Sequence, residues 1–317
     1  MTRTRLVAPW LLCALAALSC SAGAPLPEVR VHASVSPVAA QALVTLATNR
    51  RLARVVLVDD LAQAELAWFG DPVQALRHPG LLVPGSAPDV PGVAARWKDP
   101  ARRFFPVGAR ARILLVDPRA SLPVNPVRLR DLADPRLAGR QALAPPDRGE
   151  GPATFAALAL LAGDDAVLAL LRGIAAQRPL LAADGSGVQS LVASGKASVG
   201  LAGSEQGAAG AASASALEVV YPDQAGFGTL VLPTAAAVLQ RGVASSAVHA
   251  LAAWMAGSDA EQLLVARTPG LMPLRPDVPV PPGVRSARDL RSPPLDWDRL
   301  AEADARLAPQ LGRLMSP

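Results

Sequence analysis

Three histidines, one tyrosine and two cysteines make up the whole stock of imidazole, phenol and thiol side chains in this 317-residue chain. His32, His78 and His249 are far apart in the chain, and none has the HxxxH or His–Cys spacing that brings ligands to one metal. No Gly-x-Ser-x-Gly elbow is present to strain a serine nucleophile into reach. Gly195-Lys196 lacks the glycine that a phosphate loop needs five residues upstream, where Ser190 stands, so the pair reads as an exposed turn. Carboxylates are scattered, as they are on solvated faces. Nothing here argues for catalysis or for a cofactor, and the expectation is a protein that binds rather than an enzyme.

What remains is polar groups on loops, and the elements must position them. An alternating strand over 29–33 ends at Ser34-Val35-Ser36-Pro37, and a helix follows over 38–47. A strand over 54–58, a short helix over 61–65 and a strand over 66–69 lead to the turn Gly70-Asp71-Pro72. Strands alternating with helices predict parallel α/β layering, whose ligands sit at the carboxyl ends of strands. Ser34, Ser36, Gly70 and Asp71 are therefore candidate contacts. Beyond a Pro- and Gly-rich passage come strands over 111–116 and 141–144, with a short helix over 129–135 between them. Pro152 is well placed to open a helix over 152–162. Its first amides, behind flexible Gly149 and Gly151, form either an anion site with Gly151 and Thr154 or an ordinary loop-to-helix joint. Helices over 164–176 and 185–194 precede a strand over 197–203, which places Ser204 and Glu205 at its carboxyl end. Past another strand over 217–221, helices cover 246–256, with Trp254 expected in the core, and 258–266, opened by a capping box from Ser258 to Glu261. A proline-rich arm over 273–294 leads to an amphipathic segment over 297–314.

Residues 221–239 organise the rest. A turn cluster over 222–226 precedes an apolar run at 229–232, which Pro233-Thr234 interrupts and 235–239 resumes. That pattern fits a chain passing from one lobe back to another, and it fits a buried strand with a bulge equally well.

Composition narrows the class. With 51% apolar and 18% charged residues the chain is long and apolar enough to fold around a substantial core. The net charge is +5, yet Lys98 and Lys196 are the only lysines, and the arginines are scattered among only 3% aromatics. Nucleic-acid binders more usually cluster basic and stacking residues, so no nucleic-acid partner is expected. Arg3 and Arg5 precede an apolar run over 6–18, too short to span a bilayer comfortably, and small residues follow. This is the order of a secretory signal over 1–24. Cys13 should leave with it. Cys20 stands where a bacterial lipobox places its lipidated cysteine, although cleavage after Ala22 or Ala24 would leave nothing lipidated. An exported protein, periplasmic or anchored to the envelope, is expected either way.

Several phrases in one order carry a resemblance. They are Val29-Arg30-Val31-His32-Ala33-Ser34, the stretch 64–72 ending Trp68-Phe69-Gly70-Asp71-Pro72, and 109–116. Leu129-Arg130-Asp131-Leu132-Ala133-Asp134-Pro135 with Gly139, 192–201, Tyr221-Pro222-Asp223-Gln224 with Gly228-Thr229, and Pro273-Leu274-Arg275-Pro276-Asp277 complete them. From 29 to about 314 the chain resembles the periplasmic solute-binding proteins of bacterial ABC importers, within the ferric-ion-binding-protein-like group.

The resemblance implies an α/β fold of two Rossmann-like lobes joined by two hinge strands, with residues 221–239 as the return crossing. It implies lobe one over 28–113 with 232–317, lobe two over 114–231, and a monomer that serves a permease, which the lipidated Cys20 of the N-terminal reading would hold at the membrane. It implies contacts from Ser34, Ser36, Gly70 and Asp71 in lobe one, and from Gly151, Thr154, Ser204 and Glu205 in lobe two. The tyrosine pair of the ferric binders is missing: Gly203-Ser204-Glu205-Gln206 stands there, and Tyr221 is the only tyrosine. A small polar ligand, anionic or zwitterionic, is expected, with Asp71, Glu150 and Glu205 opposing an anion if they face the same cleft. The alternatives are a metal site without tyrosine, and a sensor or accessory lipoprotein that kept the fold.

Overall fold

The computed structural model describes residues 25–211 and 216–314. The signal segment and Cys20 lie outside the described residues. Nine strands and nine α-helices are described in chain order: β1 (Glu28–Ala33), α1 (Pro37–Asn49), β2 (Arg54–Leu57), β3 (Leu66–Phe69), α2 (Pro72–Leu76), β4 (Phe105–Val116), β5 (Gln141–Leu143), α3 (Gly151–Ala162), α4 (Asp164–Ala176), β6 (Leu180–Leu181), α5 (Gly185–Ala193), β7 (Val199–Gly203), α6 (Ser204–Ala211), β8 (Glu218–Val220), β9 (Val231–Val238), α7 (Ser246–Met255), α8 (Ser258–Arg267) and α9 (Trp297–Leu314). None of these helices is long and apolar enough to cross a membrane.

One sheet runs β2-β1-β3-β9-β4-β7-β5-β6, with β8 also on β4. Its first half is parallel from β2 through β3, and β9 then runs antiparallel to both β3 and β4. In its second half β5, β6 and β7 are parallel, and β7 and β8 flank the end of β4 antiparallel to it. The start of β4 therefore belongs to one half and its end to the other. This is the expected pair of α/β lobes joined by crossing strands, with β9 as the return passage.

The break expected at Pro233-Thr234 is not in β9, which is continuous. The irregularity sits on the partner strand, where the β4 register shifts between Pro106 and Ala109. Proline is tolerated in a central strand where a bulge removes the demand for its missing N–H. Thr234 fills the gap: its hydroxyl donates to the Val107 carbonyl at 2.6 Å and accepts from Trp68 Nε1 at 2.9 Å.

A further expectation changes. Ser258 and Glu261 form no capping box, because the Ser258 hydroxyl donates to Asp277 Oδ2 at 2.7 Å and the buried Glu261 carboxylate takes Arg275 Nη1 at 2.6 Å. Packing of the arm against α8 outcompetes the local cap. Ser204 and Glu205 do follow the carboxyl end of β7, where they open α6. The core includes fully buried Trp68, Phe104, Phe105, Leu43, Leu66 and Ile113. Trp254 lies at its margin, only partly buried. Helix α3 is apolar on all sides and buried from Pro152 to Ala159, packed against α4 and α9.

Candidate functional site

The strand that changes halves carries the chemistry. Every residue of β4 is buried, and within it Arg110 and Arg112 are two apart and so share a face. Their residues are 6% and 4% exposed. Two guanidiniums inside a sheet are costly unless paired. Glu205, in the first turn of α6, meets Arg110 with Oε1 at 3.0 Å from Nη2. Glu150, the residue before α3, contacts Arg112 Nη1 through Oε2 and lies 3.8 Å from Arg110 Nη1 through Oε1. Among the described residues neither Nε group has a hydrogen-bond partner, and the Arg110–Glu205 contact is an ion pair without hydrogen-bond geometry. Burial first, then the like charge of Arg110, pushes the Arg112 guanidinium down to about 9.

The first half of the sheet supplies the opposite wall. Asp71 caps α2, accepting Gln74 N at 3.0 Å and Gln74 Nε2 at 2.9 Å. Burial pushes its carboxyl above the ordinary value, against the Gln74 bonds and the charges of Arg112 and Arg110, which pull it down. Gln74 Oε1 in turn accepts the Ser34 hydroxyl at 2.7 Å and the Gly70 amide at 3.3 Å. A side chain begun at Gly70 would lie 3.4 Å from Arg110 Nη1 and 3.3 Å from the Ser34 carbonyl, so the two strand-end loops abut the arginines.

The structure thus brings Ser34, Gly70, Asp71 and Glu205 around Arg110 and Arg112. It spends the other expected residues elsewhere. Ser36 caps α1 through Ala39 N at 3.4 Å. The buried Thr154 hydroxyl donates to the Glu150 carbonyl at 2.7 Å. Ser204 Oγ donates to Gly270 O at 2.7 Å and accepts Ala111 N at 3.2 Å. At the start of α3, the Gly151 amide bonds Arg148 O, Pro152 has none, and the Thr154 amide bonds Glu150 O. Only the buried Ala153 amide is left of the four, so this helix start offers little to an anion.

Sequence reasoning passed over Arg110, Arg112 and Gln74. Two arginines two apart inside an apolar strand were the signal for the first two. For Gln74 it was its place three residues after a capping aspartate. Tyr221 accepts the Arg285 amide at 3.4 Å, and the Arg285 guanidinium lies over its ring. Among the described residues no group of three or more His, Cys, Asp or Glu is placed to hold a metal ion. Two surface hollows, of about 540 Å³ beside His249 and about 460 Å³ beside Lys196, include none of the charged residues around Arg110.

Residues 71–303 match a family profile described as bacterial extracellular solute-binding protein. A comparison with curated proteins finds no match. Among solved structures, iron-bound HitA from Pseudomonas aeruginosa is similar with a TM-score of 0.78 at 18% identity, covering 92% of this chain and 100% of that one. The ferric binding protein from Campylobacter jejuni gives 0.79 at 15% identity, over 90% and 98% of the two chains. Trichodesmium IdiA (FutA), in complex with iron and citrate, gives 0.77 at 17% identity, over 91% and 99%. At these identities the likeness is one of fold.

Proposed function

Because the chain belongs to the bacterial extracellular solute-binding protein family, we propose that it is the receptor of an ABC-type importer, capturing a small anionic or zwitterionic ligand by hinge closure. One observation carries the ligand class: two buried guanidiniums on the crossing strand, each with an Nε donor that no atom of the described residues accepts. Buried donors left unpaired cost about 1–3 kcal/mol each, and a ligand oxygen would recover that cost. Closure would then follow from contacts that both lobes make with the trapped ligand.

In this reading lobe one takes 28–113 and 232 to about 296, and lobe two takes 114–231. Helix α9 is taken with lobe two because its most extensive packing is on α3, although it also packs on α2. The permease is the protein partner, the receptor is a monomer, and Cys20 carries a lipid anchor. A metal site without tyrosine, to which the carboxylates of Asp71, Glu150 and Glu205 would have to contribute, is the second reading, favoured by the likeness in fold to iron-bound proteins. Against it, these carboxylates are engaged by Gln74, Arg112 and Arg110. A sensor lipoprotein of the same fold would bind the ligand but copurify with no permease.

Thermal-shift measurement with phosphate, citrate, amino acids, polyamines and ferric ion tests the ligand class. Stabilisation by an oxyanion or zwitterion, lost in Arg110→Gln, is expected. Stabilisation by a polyamine or by ferric ion alone would sink it.

A further inference from the structure

The two arginines already have anions of their own, and how those anions are held is informative. Side-chain exposure is 7% for Arg110 and 4% for Arg112, but 15% for Glu205 and 28% for Glu150. The cations lie deep and the carboxylates lie on the more solvated side, from which a ligand would approach. Glu150 precedes α3 directly, yet its side chain makes no capping bond to that helix. It turns to Arg112 instead, over Gly203. A Cβ at Gly203 would stand 2.9 Å from both Glu150 oxygens, so a side chain there would push the carboxylate aside. Glu205 is fixed by the start of α6 against Arg110. Two guanidiniums therefore face the carboxylates of these two glutamates, with the buried, Gln74-bound Asp71 carboxyl beside them, and among the described residues the two Nε donors remain open.

A simple oxyanion entering this site would find its charge already balanced and would meet two carboxylates of its own sign. A ligand carrying an ammonium beside its oxyanion would meet no such penalty: its oxygens can take the Nε donors while its ammonium lies against Glu205 or Glu150. We propose that Glu150 and Glu205 are the specificity-determining residues of the cleft, acting as resident counter-anions that exclude simple anions and admit zwitterions. Discrimination of this kind rests on repulsion of the wrong ligand as much as on attraction of the right one. The inference rests on the reading of Arg110 and Arg112 as the ligand site.

Calorimetric titration of inorganic phosphate into the processed protein and its Glu150→Gln and Glu205→Gln variants tests both layers. Glutamine keeps the size of glutamate and removes only its charge. Phosphate should bind the native protein weakly and at least one glutamine variant about tenfold more tightly or better, since like-charge juxtaposition across an interface is costly. The gain should vanish when Arg110→Gln is added. Equal affinity for native and both variants, abolished by Arg110→Gln, would overturn the counter-anion role and leave the arginine site standing. No phosphate binding by any form would overturn both. A second arm needs no variant, so misfolding cannot obscure it: thermal shifts of the native protein with glutarate and with 5-aminovalerate, equal in chain length. The amino acid should stabilise more, and a shift from glutarate as large or larger would count against the proposal.

Discussion

At the residue scale, the ion pair of Arg112 with Glu150 is a large energetic commitment. Removing one partner of a buried pair typically costs about 3–5 kcal/mol, whereas replacing both with apolar residues is often neutral. Glu150→Leu should therefore lower the urea unfolding free energy by about 3 kcal/mol, and adding Arg112→Leu should recover most of the loss. Additive losses in the double variant would show that the pair is not coupled. Asp71 makes a second prediction, on pH. Its carboxyl is raised in the folded state by burial, so its contribution is fully present below the unfolded value, near 3.8, and is lost as pH rises through the higher folded value. Asp71→Asn should thus gain stability relative to the native protein as pH climbs from about 3.8 toward neutrality, and the difference should level off below that. A flat difference across the range would contradict the burial of a charge-averse carboxyl. The sequence marked Ser34, Gly70, Asp71 and Glu205 because strand ends and turn residues are local signals. It also marked Thr154 and Ser204, whose hydroxyls are consumed by carbonyls. For Ser204 that outcome depends on a tertiary distance, to Gly270, which residue type does not encode, whereas Thr154 makes the local bond four residues back that threonine makes in helices.

At the element scale, the helices with strong local signals appear where expected, α4 over its full predicted span among them. What the sequence did not reveal is competition between elements. The Ser258 cap gives way to Asp277, and the irregularity expected in β9 is taken up by β4. Helix α9 is a further case, legible as amphipathic but not as to what it covers. Trp297 Nε1 donates to Lys98 O at 3.0 Å, and Asp304 accepts Arg77 Nε and Nη2 at 2.7 and 2.8 Å. Farther along, Arg306 reaches Asp164 Oδ2 at 3.2 Å. One helix is thus tied to α2 and to the start of α4. Asp304 is almost fully buried, but the Arg77 side chain is 40% exposed, so its charge is partly screened. Asp304→Asn, which keeps the shape and drops the charge, should cost about 1–3 kcal/mol in chemical unfolding. A change below a few tenths of a kcal/mol would mean the helix is held by apolar packing alone.

At the scale of the whole molecule, the order of weak phrases sufficed for the two-lobed architecture, because chain order constrains topology more than any one motif does. Which lobe the C-terminal segment travels with is not set by that order, since an amphipathic helix after a long arm can reach either lobe. The N-terminal reading has its own outcome: Cys20→Ala should move the protein from the membrane fraction to a soluble or unprocessed form, and an unchanged membrane fraction would remove the anchor. The last prediction concerns which body α9 travels with. Its most extensive packing is on the apolar, buried α3, whereas toward lobe one it packs less on α2 and makes ionic, partly exposed ties to Arg77 and Arg103. Apolar packing costs more to break than screened ion pairs, so on opening the helix should stay with lobe two and slip against α2. Cys13 and Cys20 are the only cysteines, which makes paired spin labels straightforward once the signal region is removed. Labels at the exposed positions Gln41 on α1, Arg172 on α4 and Ala308 on α9 report the three distances. When a stabilising ligand is added, the α1–α4 and α1–α9 distances should both change while α4–α9 stays fixed. A fixed α1–α9 distance with a moving α4–α9 distance would place the helix in lobe one and return 232–314 to a single body.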